Sequence, residues 1–205
     1  SHKINLLTAD TTIADKEIRH ALSTSRLIHA RVISNSINKQ DNFITLDKGA
    51  ADGVQPDMGV VCGTGIVGIV YQVTQHYSIV IPVLSSHSKI SCQIEGSGYF
   101  GYLTLDGKMS RYAYVDDIPR HARFHLYDKV VTSGYSSVFP QGLMVGKILH
   151  VYNSPDGLSY RLMIELSTDF GKLRDVCIID DSTIRERLQV LRTAEDSIKV
   201  RKGNN

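Results

Sequence analysis

Short β-branched runs, repeated from residue 30 to residue 180 with no long helical pattern between them, constrain this chain more than any other feature. The runs fall at residues 30–34, 43–46, 60–62, 66–73, 78–84, 89–94, 100–105, 111–115, 121–126, 129–132, 143–152, 160–166 and 176–179. Clusters of Gly, Asp, Asn and Pro separate them. Strands at that spacing with tight turns predict sandwiches or barrels, and the lack of 10–15-residue helical patterns excludes a parallel α/β sheet. Gly63-Thr64-Gly65 reads as a hairpin tip, and Ser154-Pro155-Asp156-Gly157 as a turn in which Pro fixes φ and Gly accepts a positive one. Leu162, Ile164 and Leu166 alternate with polar neighbours, as one half-buried strand face does.

The flanks differ. Residues 4–27 read as weakly helical, with Ile4, Leu7, Ile13, Ile18, Leu22 and Leu27 at no clean period and Thr11 and Thr12 lowering the propensity. After Asp181 the pattern turns helical again. Thr183 and Glu186 fit a capping box, and Ile184, Leu188 and Leu191 share a face. The expectation is a mostly β chain: a helix remnant over 1–29, small barrel-like domains over 30–98 and 99–180, and a helical tail over 181–205. The boundary is placed at the glycine cluster Gly96, Gly98 and Gly101. A faint internal echo, residues 65–70 against 142–148, suggests that the two domains are related, although generic hairpin chemistry explains it too.

Composition narrows the function. The 205 residues carry 23 Lys and Arg against 21 Asp and Glu, a net charge of +2, which leaves no electrostatic footprint for nucleic acid. With 42% hydrophobic residues there is ample material for a core, and no apolar run reaches the roughly 18 residues of a membrane span. The first residues, Ser-His-Lys, lack an initiator Met and read as a truncated start. The three cysteines, Cys62, Cys92 and Cys177, cannot all pair and show no metal-ligand spacing; each reads as a small buried hydrophobe.

Several apparent sites fail on chemistry. Residues 63–68 match GxGxxG, but a strand-forming sequence follows where a phosphate-binding helix would have to begin. Residues 134–138 nearly match a nucleophile elbow but lack its second glycine. A two-barrel serine hydrolase remains the alternative, with Ser133 or Ser136 as nucleophile and His121 or His125 as base. His121 and His125 have helical metal spacing in a segment that reads as extended, and Asp116-Asp117 and Asp180-Asp181 read as turn acids. No catalytic, metal or cofactor site is expected.

Two blocks are specific. Residues 44–54 run Ile-Thr-Leu-Asp-Lys-Gly-Ala-Ala-Asp-Gly-Val and continue through Pro56, Gly59, Gly65 and Gly68. Residues 128–134, Asp-Lys-Val-Val-Thr-Ser-Gly, run on to Val138-Phe139-Pro140-Gln141-Gly142 and Gly146; Thr168-Asp169-Phe170 is a weaker match. These blocks resemble the rod-shape-determining protein MreC family. The motif positions are Gly49, Gly53, Gly59, Gly65, Gly68, Thr132, Ser133, Gly134, Phe139, Pro140, Gly142 and Gly146. The resemblance implies a non-catalytic scaffold of the cell-elongation complex, with two small β-domains outside the cytoplasmic membrane and an N-terminal membrane helix and coiled coil absent here. It implies self-association and, as partners, a class B penicillin-binding transpeptidase, MreD, RodA and, through the membrane, MreB. Candidate contact residues are Tyr135, Phe139, Ile184, Leu188 and Leu191. Tyr99, Phe100, Tyr102, Tyr112 and Tyr114 are further candidates, and each of these aromatics, Tyr135 and Phe139 included, reads equally as core. Direct binding of a peptide or peptidoglycan along a strand edge is a third reading.

Overall fold

The structure, a computed structural model, describes residues 20, 22–36, 42–85, 90–105, 111–135 and 138–203. Within them run β1 (Arg26–Asn35), β2 (Ile44–Leu46), β3 (Gly59–Cys62), β4 (Gly65–Val73), β5 (Ser78–Pro82), β6 (Ser91–Ile94), β7 (Phe100–Thr104), β8 (Tyr112–Pro119), β9 (Lys129–Thr132), β10 (Met144–Asn153), β11 (Ser159–Leu166), β12 (Asp175–Asp180) and the helix α1 (Ser182–Gly203). The chain is mostly β, as its run pattern predicts. The helical reading of residues 4–19 lies outside the described residues. Residues 26 and 27, read with the helical lead-in, already belong to β1.

The strands close into two antiparallel six-stranded barrels. Barrel one runs β1-β12-β3-β4-β5-β2, and barrel two runs β10-β11-β8-β7-β6-β9. The expected division at 98/99 therefore falls between β6 and β7, inside barrel two, and the strand at 175–180 completes barrel one. The physical reason is closure: five strands from residues 26–82 leave an open edge, and β12 fills it by pairing with β1 and β3. Val176, Cys177, Ile178 and Ile179 are all buried, as a strand covered on both faces requires.

The two rings share one strand map. Taken around the ring, β12, β1, β2, β5, β4 and β3 of barrel one correspond to β6, β7, β8, β11, β10 and β9 of barrel two. The register agrees in detail. Gly68 pairs with Val60 and Pro82, and Gly146 pairs with Val130 and Leu166. Each strand then bulges at the same distance onward, between Val70 and Gln72 and between Ile148 and His150. A Cβ at Gly68 would run into the Ile81 carbonyl, and one at Gly146 into the Glu165 carbonyl, so both positions exclude a side chain for the same reason. The echo between residues 65–70 and 142–148 thus marks equivalent strands.

Inward residues such as Ile44, Leu46, Val60 and Val80 fill barrel one, and Ala113, Val115, Ile148 and Ile164 fill barrel two; all are buried. The buried residues of both barrels form one continuous cluster. Residues 121–126, expected as a strand, are not one: β8 ends at Pro119 and a turn follows. Their Ala, Phe and Leu mimic strand alternation, but no ladder partner is available there.

α1 begins with a different cap from the one expected. The Asp181 carboxylate accepts from the N–H groups of Thr183 (3.0 Å) and Ile184 (3.2 Å), which makes Asp181 the N-cap in place of Thr183. Arg192 on the helix pairs with Asp57 of barrel one at 2.7 Å. Among the described residues, no helix is long and apolar enough to cross a membrane.

Candidate functional site

Most motif residues converge on the seam between the barrels. Thr132, at the end of β9, holds both ends of the loop that follows. Its hydroxyl donates to the Pro140 carbonyl (2.6 Å) and accepts from the Leu143 N–H (2.9 Å), while its carbonyl accepts from the Gly142 N–H (2.9 Å). Gly134 (φ 72°) and Gly142 (φ 94°) turn the chain at the two ends. The loop so pinned carries Phe139 into the interior, where it is fully buried.

Phe139 meets barrel one at Gly59. A Cβ on Gly59 would lie 2.8 Å from the Phe139 ring, so glycine makes the socket and the phenyl fills it. Burying such a ring contributes about 1.5–3 kcal/mol. Beside it, β4 and β10 pack together. Gly65 faces the Met144 carbonyl, and the Thr168 hydroxyl donates to the Ile66 carbonyl at 2.8 Å in a buried hydrogen bond. The Cys62 thiol lies 3.7 Å from the same hydroxyl. The first block has a local task. Gly49 and Gly53 bracket a short 3-10 turn over Ala50–Asp52, whose N–H groups at Ala50 and Ala51 bond to Thr74 and Gln75 (2.9 Å each). Phe139, expected also as a surface contact, cannot be one, because the seam covers it.

Among the described residues, the hydrolase candidates each have partners other than one another. Ser133 donates its hydroxyl proton to Ser91 Oγ (2.7 Å) and accepts from the Tyr135 N–H (3.1 Å). His121 packs edge-on to Tyr99, with ring centroids 5.4 Å apart, and His125 sits 3.8 Å from Asp128 on the surface. Ser136 lies outside the described residues. Asp116 and Asp117, read as turn acids, are in β8, with Asp117 at φ 67° beside a register shift. The three cysteines are free. Burial pushes the Cys92 thiol up to about 12 and, with the nearby Cys62 and Asp175 charges, the Cys177 thiol up to about 11.

The outer face of barrel two is aromatic. Phe100 and Tyr135 stack with centroids 5.7 Å apart and remain 46% and 61% exposed. Tyr102 and Tyr112 are also exposed, while Tyr114 is half-covered by the Arg161 guanidinium, 4.0 Å above its ring. An open groove of about 460 Å³ lies beside them, lined by Tyr102, Tyr160, Arg161, Asp116 and Asp156. Asp116 is engaged there by Arg161 (3.0 Å) and Thr104 (2.7 Å). The Ser154 hydroxyl and the Leu158 N–H hold the Asp156 carboxyl below its ordinary range. The Phe100–Tyr135 pair was not legible as a pair, because its members come from β7 and from the loop after β9. The three helix candidates divide: Ile184 is buried, Leu188 half-buried and Leu191 exposed.

Fold and seam define a class: a tandem six-stranded β-barrel module whose signature residues build the join between the barrels. The chain belongs to the rod shape-determining protein MreC family, whose barrel core matches residues 32–180. A cell shape-determining protein MreC of Listeria monocytogenes is 28% identical over 184 residues, covering 85% of this chain and 62% of that protein. The chain thus spans less than two thirds of that relative's length. A solved MreC structure from Listeria monocytogenes superposes with a TM-score of 0.70 at 29% identity, over 82% of this chain and 84% of that one. The MreC in a complex between penicillin-binding protein PBP2 and MreC from Helicobacter pylori shares the fold, with a TM-score of 0.62 at 18% identity over 77% of this chain and 99% of that one.

Proposed function

We propose that this chain is the extracytoplasmic part of a cell-shape scaffold that docks a class B penicillin-binding transpeptidase on the aromatic face of barrel two, and that it performs no catalysis itself. The observation that carries this reading is the exposed Phe100–Tyr135 stack. A rigid aromatic pair left in water is what interface anchors look like, because it offers a large apolar area at low side-chain entropy cost. The complex of penicillin-binding protein PBP2 with an MreC from Helicobacter pylori supports this reading. Membership of the MreC family supports the wider setting: an N-terminal membrane anchor, self-association, and links to MreD, RodA and MreB. For Ser133 the hydrolase reading lacks support, because its hydroxyl bonds to Ser91 and not to a histidine.

The test is a calorimetric titration against the extracytoplasmic domain of the elongation transpeptidase from the same organism. Binding near 1 μM, about −8 kcal/mol, is expected. Replacing Phe100 and Tyr135 together by alanine should weaken it by about 30-fold or more, the size of a hot-spot loss. Binding that is absent, or indifferent to both changes, overturns the reading.

A further inference from the structure

α1 leaves barrel one with its foot already docked. Asp181 caps it, Ile184 is buried and Leu188 is half-buried. The arginines of these first turns meet carboxylates of barrel one: Arg185 pairs with Asp180 of β12, and Arg192 pairs with Asp57 at 2.7 Å. The foot thereby shows what this face of α1 takes, namely cover for its apolar residues and carboxylates for its cations.

The same pattern runs on beyond the barrel. Leu191, Glu195 and Ile198 continue the line of Ile184 and Leu188 at three-four spacing, but Leu191 is 43% and Ile198 54% exposed. That spacing is the seam of a helix pair. With successive residues about 100° apart, all six lysines and arginines of α1 lie within about 100° of that line, whereas Glu186 and Asp196 lie farther round the helix. Past Arg192 the cations are Lys199, Arg201 and Lys202. All three are exposed, with no carboxylate partner among the described residues. The lower half of the face is matched and the upper half is bare.

We infer that the upper half of α1 pairs with an acidic amphipathic helix of a partner protein. That helix sets apolar residues at three-four spacing against Leu191 and Ile198, carboxylates beside Lys199, Arg201 and Lys202, and one cation opposite Glu195. Two other occupants fit the charges less well. A second copy of α1 meets repulsion in either direction. Antiparallel pairing along the same line sets Arg192 against Arg192 and Arg185 against Lys199, and parallel pairing sets Glu195 against Glu195 and Lys202 against Lys202. An anionic bilayer satisfies the cations, but Glu195, in the line between Leu191 and Ile198, would enter the lipid without a counter-ion. A partner helix supplies one. The surface lies on α1 and shares no residue with the aromatic face of barrel two.

Two labelled synthetic helices test this on the full chain by fluorescence anisotropy. Both carry leucines at three-four spacing and a lysine placed opposite Glu195; one has glutamates on its flanks and the other has lysines. The acidic helix should bind at least about tenfold more tightly than the basic one, and about 0.5 M salt should erase most of that advantage. Leu191→Asp/Ile198→Asp should weaken its binding at least about tenfold. Lys199→Glu/Arg201→Glu should reverse the preference between the two helices. Val200→Asp, on the far side of α1, should change neither result. An unaltered urea midpoint in each variant reports that the barrels stay folded. Equal binding of the two helices overturns the inference. So does capture of the chain by phosphatidylglycerol vesicles that Leu191→Asp/Ile198→Asp abolishes, which assigns the face to a bilayer. A dimer lost in the same variant overturns it too, since the face would then belong to a second copy.

Discussion

Barrel two closes within one stretch of chain, from Ser91 to Leu166, whereas barrel one takes its sixth strand from residues 175–180, after the whole of barrel two has intervened. Because the rings share one map and the glycines Gly68 and Gly146 share one register position, the difference is where the chain is cut, not how the sheet is built. A cut of that kind has consequences. Barrel one can complete β1–β12 pairing only by closing a very long loop, an entropic cost that barrel two avoids. Barrel two's presence brings β12 back to barrel one, and the seam around Phe139 holds the two together. The outward faces diverge as well: Phe100 and Tyr135 form an exposed stacked pair on barrel two, while the exposed aromatics of barrel one, Phe43, Tyr71 and Tyr77, form no stacked pair among the described residues.

The largest expected effect is all-or-none. Residues 90–168 alone should unfold in a single cooperative urea transition, and residues 22–85 alone should show none. Asp180 already lies opposite Arg26, so fusing residues 174–180 by a short turn to residue 26 should restore a cooperative transition to barrel one. Cooperative unfolding of residues 22–85 without β12 would break the comparison, because β12 would then be an accessory to a ring that closes without it.

Next in size is the seam. Phe139 is fully buried against Gly59, so Phe139→Ala should cost about 3–5 kcal/mol, read as a lower urea midpoint of the intact chain. If the seam couples the barrels, the single transition should also split in two, with barrel one melting first. A loss below about 1 kcal/mol would mean that the barrels are merely adjacent.

Much of this was legible. Twelve of the thirteen β-branched runs became strands. What was missed is non-local. Nothing in residues 176–179 says which ring they complete, since a doubly buried strand reads alike in either. The seam depends on Gly59 and Phe139 meeting across distant parts of the chain, and Gly59 alone signals only a missing side chain. At the helix start, both Asp181 and Thr183 have capping side chains; the end of β12 at Asp180 decides between them, and that end is a matter of pairing. The aromatic face was equally hidden, since alternation shows that Phe100 and Tyr102 share a side but not which side is wet.

The smallest effect uses the buried thiols, one in each barrel: Cys92 in β6 and Cys177 in β12. An unfolded thiol ionises near 9.0, whereas burial holds Cys92 protonated to about 12 and Cys177 to about 11. Both contributions are complete below pH 9. Above it the unfolded state releases a proton that the folded state keeps, so each thiol removes about 1.4 kcal/mol of stability per pH unit. The Cys177 contribution levels off as pH passes about 11, while that of Cys92 continues to about 12. Other groups titrate in this range, so the measurement is a difference: urea midpoints of parent, Cys92→Ala and Cys177→Ala between pH 8 and 11. Each variant should lose stability less steeply than the parent, by about 1.4 kcal/mol per unit. A parent slope that neither variant reduces would show that water reaches these thiols, and that barrel one, closed by a distant strand, is no looser at β12 than barrel two is at β6.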